Sequence, residues 1–170
     1  MKKIETERKY VIKKPDMKTL EMQSSFTLSE ITQIYLTDSE KTHRIRKRIW
    51  KNGEVEYTEN TKQRISPMSS IESEKEIGEK EFERLLQFIE AGTHPVIKTR
   101  VTFEFYSKTF EIDIYPEWKS SSVLEVELER EDEEIIFPEF IKIIKEVTGK
   151  REFSNHRMAY EFPTEIKSTD

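Results

Sequence analysis

The chain has 170 residues, 37% charged and 34% hydrophobic, with a net charge of −5; that length suits one core, and ten phenylalanines, six tyrosines and two tryptophans supply bulk that a disordered chain lacks. The acidic balance argues against a general nucleic-acid surface, and the absence of cysteine excludes disulfides, thiolate metal sites and a thiol nucleophile. Charges run through the first twenty residues and no long apolar run follows, so neither a signal peptide nor a membrane span is expected and the location reads as cytoplasmic.

The first element is a strand, IETERKY, whose alternation puts Glu5, Glu7 and Lys9 on one face. Pro15 and Asp16 predict a short helix over Met17 to Ser24, followed by a strand from Ile31 to Leu36. THRIRKRIW then sets Arg44, Arg46, Arg48 and Trp50 on one face and runs into Asn52-Gly53, a hairpin signal. Beyond the turn, VEYTENTKQR puts Thr58, Asn60, Lys62 and Arg64 together. Ile65 to Ser70 reads as a loop, and IESEKEI places Glu72, Glu74 and Glu76 on one face.

From Glu79 to Ala91 the period becomes helical, with Phe82, Leu85, Leu86 and Ile89 as the buried stripe. Three more strands follow: one presents Lys98 and Arg100, the next Glu111 and Asp113, and VLEVELE presents Glu125, Glu127 and Glu129. Pro138 is expected to open a helix to about Thr148, capped by Gly149, and residues 164–170 are expected as a disordered tail after a single domain over 1–163.

About eight segments thus alternate charge with apolar or neutral residues. If the charged faces look outward, the apolar faces fill a sandwich. If the sheet instead closes into a barrel covered by the amphipathic helices, the charges line a wet interior, since a dry one could not hold them unpaired. Periodicity alone leaves both open. In the second arrangement Lys9, Arg44, Arg46, Lys62, Lys98 and Arg100 are donors for a polyphosphate, and Glu5, Glu7, Asp113, Glu125 and Glu127 are hard oxygen ligands for Mg²⁺ or Mn²⁺. Four glycines and no G-x-x-x-x-G-K run leave phosphate binding to side chains. His43, His94 and His156 lack ligand spacing and read as surface or packing residues.

These segments resemble the CYTH domain, or triphosphate tunnel metalloenzymes, which include class IV adenylyl cyclases, thiamine triphosphatases and inorganic triphosphatases. Glu5, Glu7 and Lys9 match E-x-E-x-K, Arg44 and Arg46 match R-x-R, Lys98 and Arg100 match K-x-R, and Glu125 and Glu127 match the late E-x-E. Asp113, Glu74 with Glu76, Gln33 to Tyr35, Ser154-Asn155 and Met158-Ala159 also resemble family positions, while Asn60, Ser70 and Ser154 depart from common family residues. The resemblance implies an α+β fold: an eight-stranded antiparallel tunnel barrel with a charged interior and helices outside. It implies a small-molecule triphosphate as partner, two divalent ions, and Lys9, Glu5 and Glu7 at the reacting end, with Glu74 and Glu76 in support. Hydrolysis of a triphosphate is the first expectation; cyclic AMP formation and non-catalytic polyphosphate or nucleotide binding are the alternatives.

Overall fold

The computed structural model describes residues 2–169. Nine strands form one antiparallel sheet: β1 Lys2–Lys13, β2 Ser24–Leu36, β3 Thr42–Trp50, β4 Val55–Arg64, β5 Ser69–Ile77, β6 Val96–Phe105, β7 Lys108–Ile114, β8 Ser121–Leu128 and β9 Ile143–Glu146. The order β5-β4-β3-β2-β6-β7-β8-β1 closes on itself because β1 also pairs with β5, from Lys2↔Ser73 to Thr6↔Ser69. Eight strands therefore make a closed barrel, and the sandwich arrangement is excluded. Closure divides the alternating residues into an interior and an exterior set. The charged set points inward.

Three apolar groups complete the barrel, two on its outer face and one plugging an end of its interior. Val101, Phe103, Phe110, Ile112, Leu124 and Val126 of β6 to β8 are covered by α1 (Met17–Glu21), through Leu20, and by the chain around Phe137 and Phe140. Leu36 and Ile45 are covered by α2 (Glu79–Leu85) through Phe82 and Leu85. At the end of the barrel where β1 finishes, Val11, Tyr35, Val96, Tyr115 and Val123 meet Phe153, Met158 and Ala159 of the C-terminal segment, which carries α3 (Asn155–Tyr160). Among the described residues no helix is long and apolar enough to cross a membrane.

Several elements differ from expectation. The helix expected to run to Ala91 stops at Leu85 and tightens into one 3₁₀ turn, Leu86–Phe88. Its continuation is drawn to the end of β2: the Thr37 amide donates to the Phe88 carbonyl and the Glu90 amide to Tyr35, both at 2.9 Å, and Ile89 bridges Leu36. Ile89 is consequently exposed. The helix expected over Pro138 to Thr148 does not form. Residues there are rich in β-branched Ile141, Ile143, Ile144 and Val147, which fit a strand better than a helix, and β1 past Tyr10 has an open edge that β9 fills. α1 ends at Glu21 rather than Ser24, which begins β2. The segment from Thr164, expected as a disordered tail, is held: Glu165 accepts from the Lys119 and Ser120 amides at 3.1 and 2.8 Å, and Ile166 packs on the closed end of the barrel. Asp170, the last residue of that expected tail, and Met1, the first of the expected domain, lie outside the described residues.

Candidate active site

The barrel encloses a cavity of about 690 Å³ lined largely by charged side chains. β3 presents Arg44, Arg46 and Arg48 from one side. β8, four strands away around the closed ring, presents Glu125 and Glu127 from the opposite side, with Glu5, Glu7 and Lys9 of β1 and Glu111 of β7 flanking them. Alternation alone sends each of these inward, so closing the ring converts rows of like charge into facing walls.

The cations divide into two sets. Arg100 is bound by Asp113 at 2.8 and 2.9 Å and by Glu111 at 3.0 Å, and Lys98 donates to the same Asp113 at 2.8 Å. Burial opposes charge at Asp113, yet Arg100 and Lys98 outweigh it and hold its carboxyl far below the usual range. Lys98, buried and beside Arg100, is pushed down to about 7. By contrast, among the described residues no carboxylate lies within ion-pair distance of Arg44, Arg46 or Arg48. Arg46 is braced by the Gln33 side-chain oxygen at 2.6 and 3.1 Å; burial, Arg44 and Arg100 push it down to about 9. Arg48 donates to Ser29 at 2.9 Å and lies over the Trp50 ring. Buried Arg44 Nε has no hydrogen-bond partner, nor does either amide atom of Asn60, its register neighbour on β4. Buried polar groups without partners are costly; Arg44 lines the cavity, whereas Asn60 lies buried outside its lining.

On the other side the excess is negative. Carboxylate oxygens of Glu7, Glu111 and Glu125 lie within 4.8 Å of one another. Burial and the Glu125 charge hold Glu7 well above the usual carboxylate range. Burial also raises Glu125, but Lys9, 3.3 Å away, and Arg100 outweigh it and keep this carboxyl ionised. Glu5, beside Glu72, is pushed up to about 7 by burial and that neighbour. Glu127 is raised by burial and by Glu111. Glu125 is offset by Lys9 and Glu111 by Arg100 at 3.0 Å, while Glu7 has no cation at ion-pair distance among the described residues; three crowded oxygen donors of this kind are a fitting set for a hard divalent cation.

The C-terminal segment reaches both buried lysines. Lys9 Nζ donates to the Phe153 carbonyl at 3.2 Å, and Lys98 Nζ donates at 3.4 Å to Asn155 Oδ1, which also accepts from Tyr115 at 2.7 Å. Ser154 caps α3 by accepting from the Arg157 amide. Thus Ser154 and Asn155 position the plug, while Met158 and Ala159 pack it.

Of the residues singled out from sequence, Glu5, Glu7, Lys9, Arg44, Arg46, Lys62, Arg100, Glu125 and Glu127 line the one cavity, and Glu74 lies at its rim. Glu76 is exposed beyond Glu74, and Lys98 sits fully buried behind Arg100. Asp113 is not in the carboxylate group: both its oxygens are occupied by Lys98 and Arg100. Glu111 takes that place and was missed, although it shares a face with Asp113; the register that puts Asp113 opposite Arg100 decides between them. Asn60 and Glu72 were missed as polar groups of the wall, and His156, expected as surface or packing, faces the cavity while bonded to Glu90 at 2.8 Å.

No family model matches the chain, and no curated protein matches it by sequence. Solved structures do. An inorganic triphosphatase, NE1496, is 26% identical with a TM-score of 0.58, the match covering 94% of this chain and 97% of that one. PH1012 from Pyrococcus horikoshii is 18% identical over 75% of this chain and 81% of its own, TM-score 0.55. A candidate adenylate cyclase from Bacillus halodurans is 16% identical over 77% and 83%, TM-score 0.51, and so shares the fold.

Proposed function

We propose that this chain, which belongs to the triphosphate tunnel metalloenzyme or CYTH family, hydrolyses the terminal phosphate of a triphosphate inside the barrel, with inorganic tripolyphosphate as the favoured substrate. The observation that carries the reading is the pairing of opposites: Arg44, Arg46 and Arg48 line one wall with no carboxylate at ion-pair distance among the described residues, and crowded carboxylates face them from the other. A polyanion satisfies the first and a divalent cation the second. A pure anion binder would need only the cations.

Hydrolysis forms a bond from a water oxygen to the terminal phosphorus and breaks the bond to the bridging oxygen; orthophosphate and pyrophosphate leave, sharing the protons of the water. Arg44, Arg46 and Arg48, with Lys62, would hold the phosphate chain along β3 and β4 and offset the charge that grows on the bridging oxygen. Lys9 is fixed between Glu125 and the Phe153 carbonyl, so its ammonium is positioned rather than mobile and would orient the terminal phosphoryl group. Arg100 and Lys98, locked on Asp113, would keep that side of the wall rigid. Mg²⁺ or Mn²⁺ held by Glu7, Glu111 and Glu125, with Glu5 and Glu127 available to a second ion, would supply positive charge to the phosphoryl oxygens.

Tripolyphosphate is favoured over nucleotides because the cavity lining is dominated by charged side chains, with few rings for a base. Its aromatic residues are Tyr35, His156 and Tyr160; Tyr35 is 1% exposed and the other two are bonded to Glu90. The test is product chromatography after incubation of tripolyphosphate, thiamine triphosphate and ATP with Mg²⁺ or Mn²⁺. Orthophosphate and pyrophosphate from tripolyphosphate are expected. Cyclic AMP and pyrophosphate from ATP, with tripolyphosphate intact, would overturn the reading.

A further inference from the structure

The barrel wall is weak along one edge of β1. β1 leaves β5 after Thr6 and meets β9 only at Tyr10, so over three residues one edge of β1 has no partner strand. Two turns bridge the gap instead. The Glu7 amide donates to the Met68 carbonyl at 2.9 Å, the Lys9 amide to Thr148 Oγ1 at 2.9 Å, and the Val147 amide to the Lys9 carbonyl at 2.8 Å. The turns touch at Gly149 and Pro67: φ of Gly149 is +73°, and a Cβ there would lie 2.8 Å from Pro67 Cβ, so glycine is what lets them close together. Behind this contact lies a second cavity of about 20 Å³, near the room one water needs. Glu7, Lys9, Lys62, Arg64 and Ser154 line both this space and the main cavity, while Pro67, Gly149 and Lys150 at its lip are exposed.

We propose that this seam is a separate entry for the attacking water, delivering it beside Glu7 and Lys9 while the phosphate chain occupies the main cavity. The proposal rests on the reading that tripolyphosphate occupies that cavity. It gives the hydrolytic water a path that the substrate does not block. Water arriving here meets Glu7 and Lys9 before it meets the arginines of β3, on the carboxylate side of a bound terminal phosphate.

Because the chain has no cysteine, a single introduced thiol reports access. Ser70 is 5% exposed and lines only the small cavity, and Ser70→Cys is nearly isosteric. Its modification by methyl methanethiosulfonate, a small neutral reagent, is followed by mass spectrometry with and without saturating tripolyphosphate and Ca²⁺, occupancy being read from the thermal shift. The rate should be unchanged by occupancy and raised severalfold by adding Pro67→Gly. Suppression in step with occupancy, indifference to Pro67→Gly, or a thiol that stays unmodified in the folded protein would each overturn the seam. As a second variant, Ser70→Val fills the space and should lower kcat severalfold with KM unchanged; an unchanged kcat would count equally against it. If tripolyphosphate gives no thermal shift, the proposed function fails, and the response to Pro67→Gly still decides the seam.

Discussion

Two sets of cations share the interior and differ in what surrounds them. Arg100 and Lys98 converge on Asp113, so their charge is spent within the protein and the three side chains form a buried brace. Arg44, Arg46 and Arg48 come from a neighbouring part of the same barrel, are equally fixed by strand geometry, and meet Tyr35, Gln33 and Ser29 instead of carboxylates. Position in a charged row therefore does not decide role; the partner across the next strand does. A folded protein gains nothing by desolvating unpaired guanidinium groups, so their retention on an open wall is a cost offset only by a ligand.

Removing the centre of the brace should have the largest effect. Asp113→Asn leaves two buried cations facing a neutral group, and breaking such a buried pair costs about 3–5 kcal/mol, so thermal unfolding should move down by roughly ten degrees. Calorimetry reads it. A Tm near that of the parent protein would mean that Asp113 is not the brace. On the bare wall the outcome should invert. Arg46→Ala removes a charge that already repels Arg44 and Arg100, so Tm should hold or rise, while loss of a charged hydrogen bond to substrate, about 1.5–3 kcal/mol, should raise KM for tripolyphosphate about ten- to a hundredfold. A KM unchanged by this substitution would remove the distinction between the two sets.

The smallest effect tests the carboxylate side. Glu5 rises to about 7 from an ordinary value of 4.5, burial being the main cause and Glu72 the second. Between those values the folded metal-free protein keeps a proton that the unfolded chain has released, so stability is full below about pH 4.5, falls as pH rises to about 7, and levels off above. Glu5→Gln has no proton to lose there. In chelator, its Tm should therefore depend less on pH over this window, by a few degrees, whereas parallel profiles for the two proteins would mean that Glu5 and Glu72 do not share a site.

Much of this arrangement was legible because a strand has only two faces. Glu5, Glu7 and Lys9, or Arg44 and Arg46, cannot avoid sharing one, and once the ring closes that face has a single destination. The sequence could not distinguish Glu111 from Asp113, since both lie on the same face of β7 and only the β6–β7 register assigns one of them to Arg100. Nor could it assign Asn60, whose importance is that nothing bonds it. The expected helix after Pro138 failed for a tertiary reason: the edge of β1 needed a partner, and the isoleucines there were suited to supply one. Likewise α2 was cut short by hydrogen bonds to the end of β2 that lie some fifty positions away in sequence.

Among the strands, β1 carries the E-x-E-x-K residues and also has the most distant neighbours. It pairs with β5, β8 and β9, and Lys9 is finally fixed by the carbonyl of Phe153, 144 positions further along. Contacts so remote require loops to close before they stabilise anything, which makes them late and slow to form. On loop-closure entropy alone, the most chemically demanding strand is expected to be immobilised after the local hairpins. A chain that has assembled its hairpins but not yet docked its last twenty residues would own every acidic and basic side chain of the site and still leave Lys9 untethered, so chemistry inside the barrel is withheld until the two ends of the sequence have met.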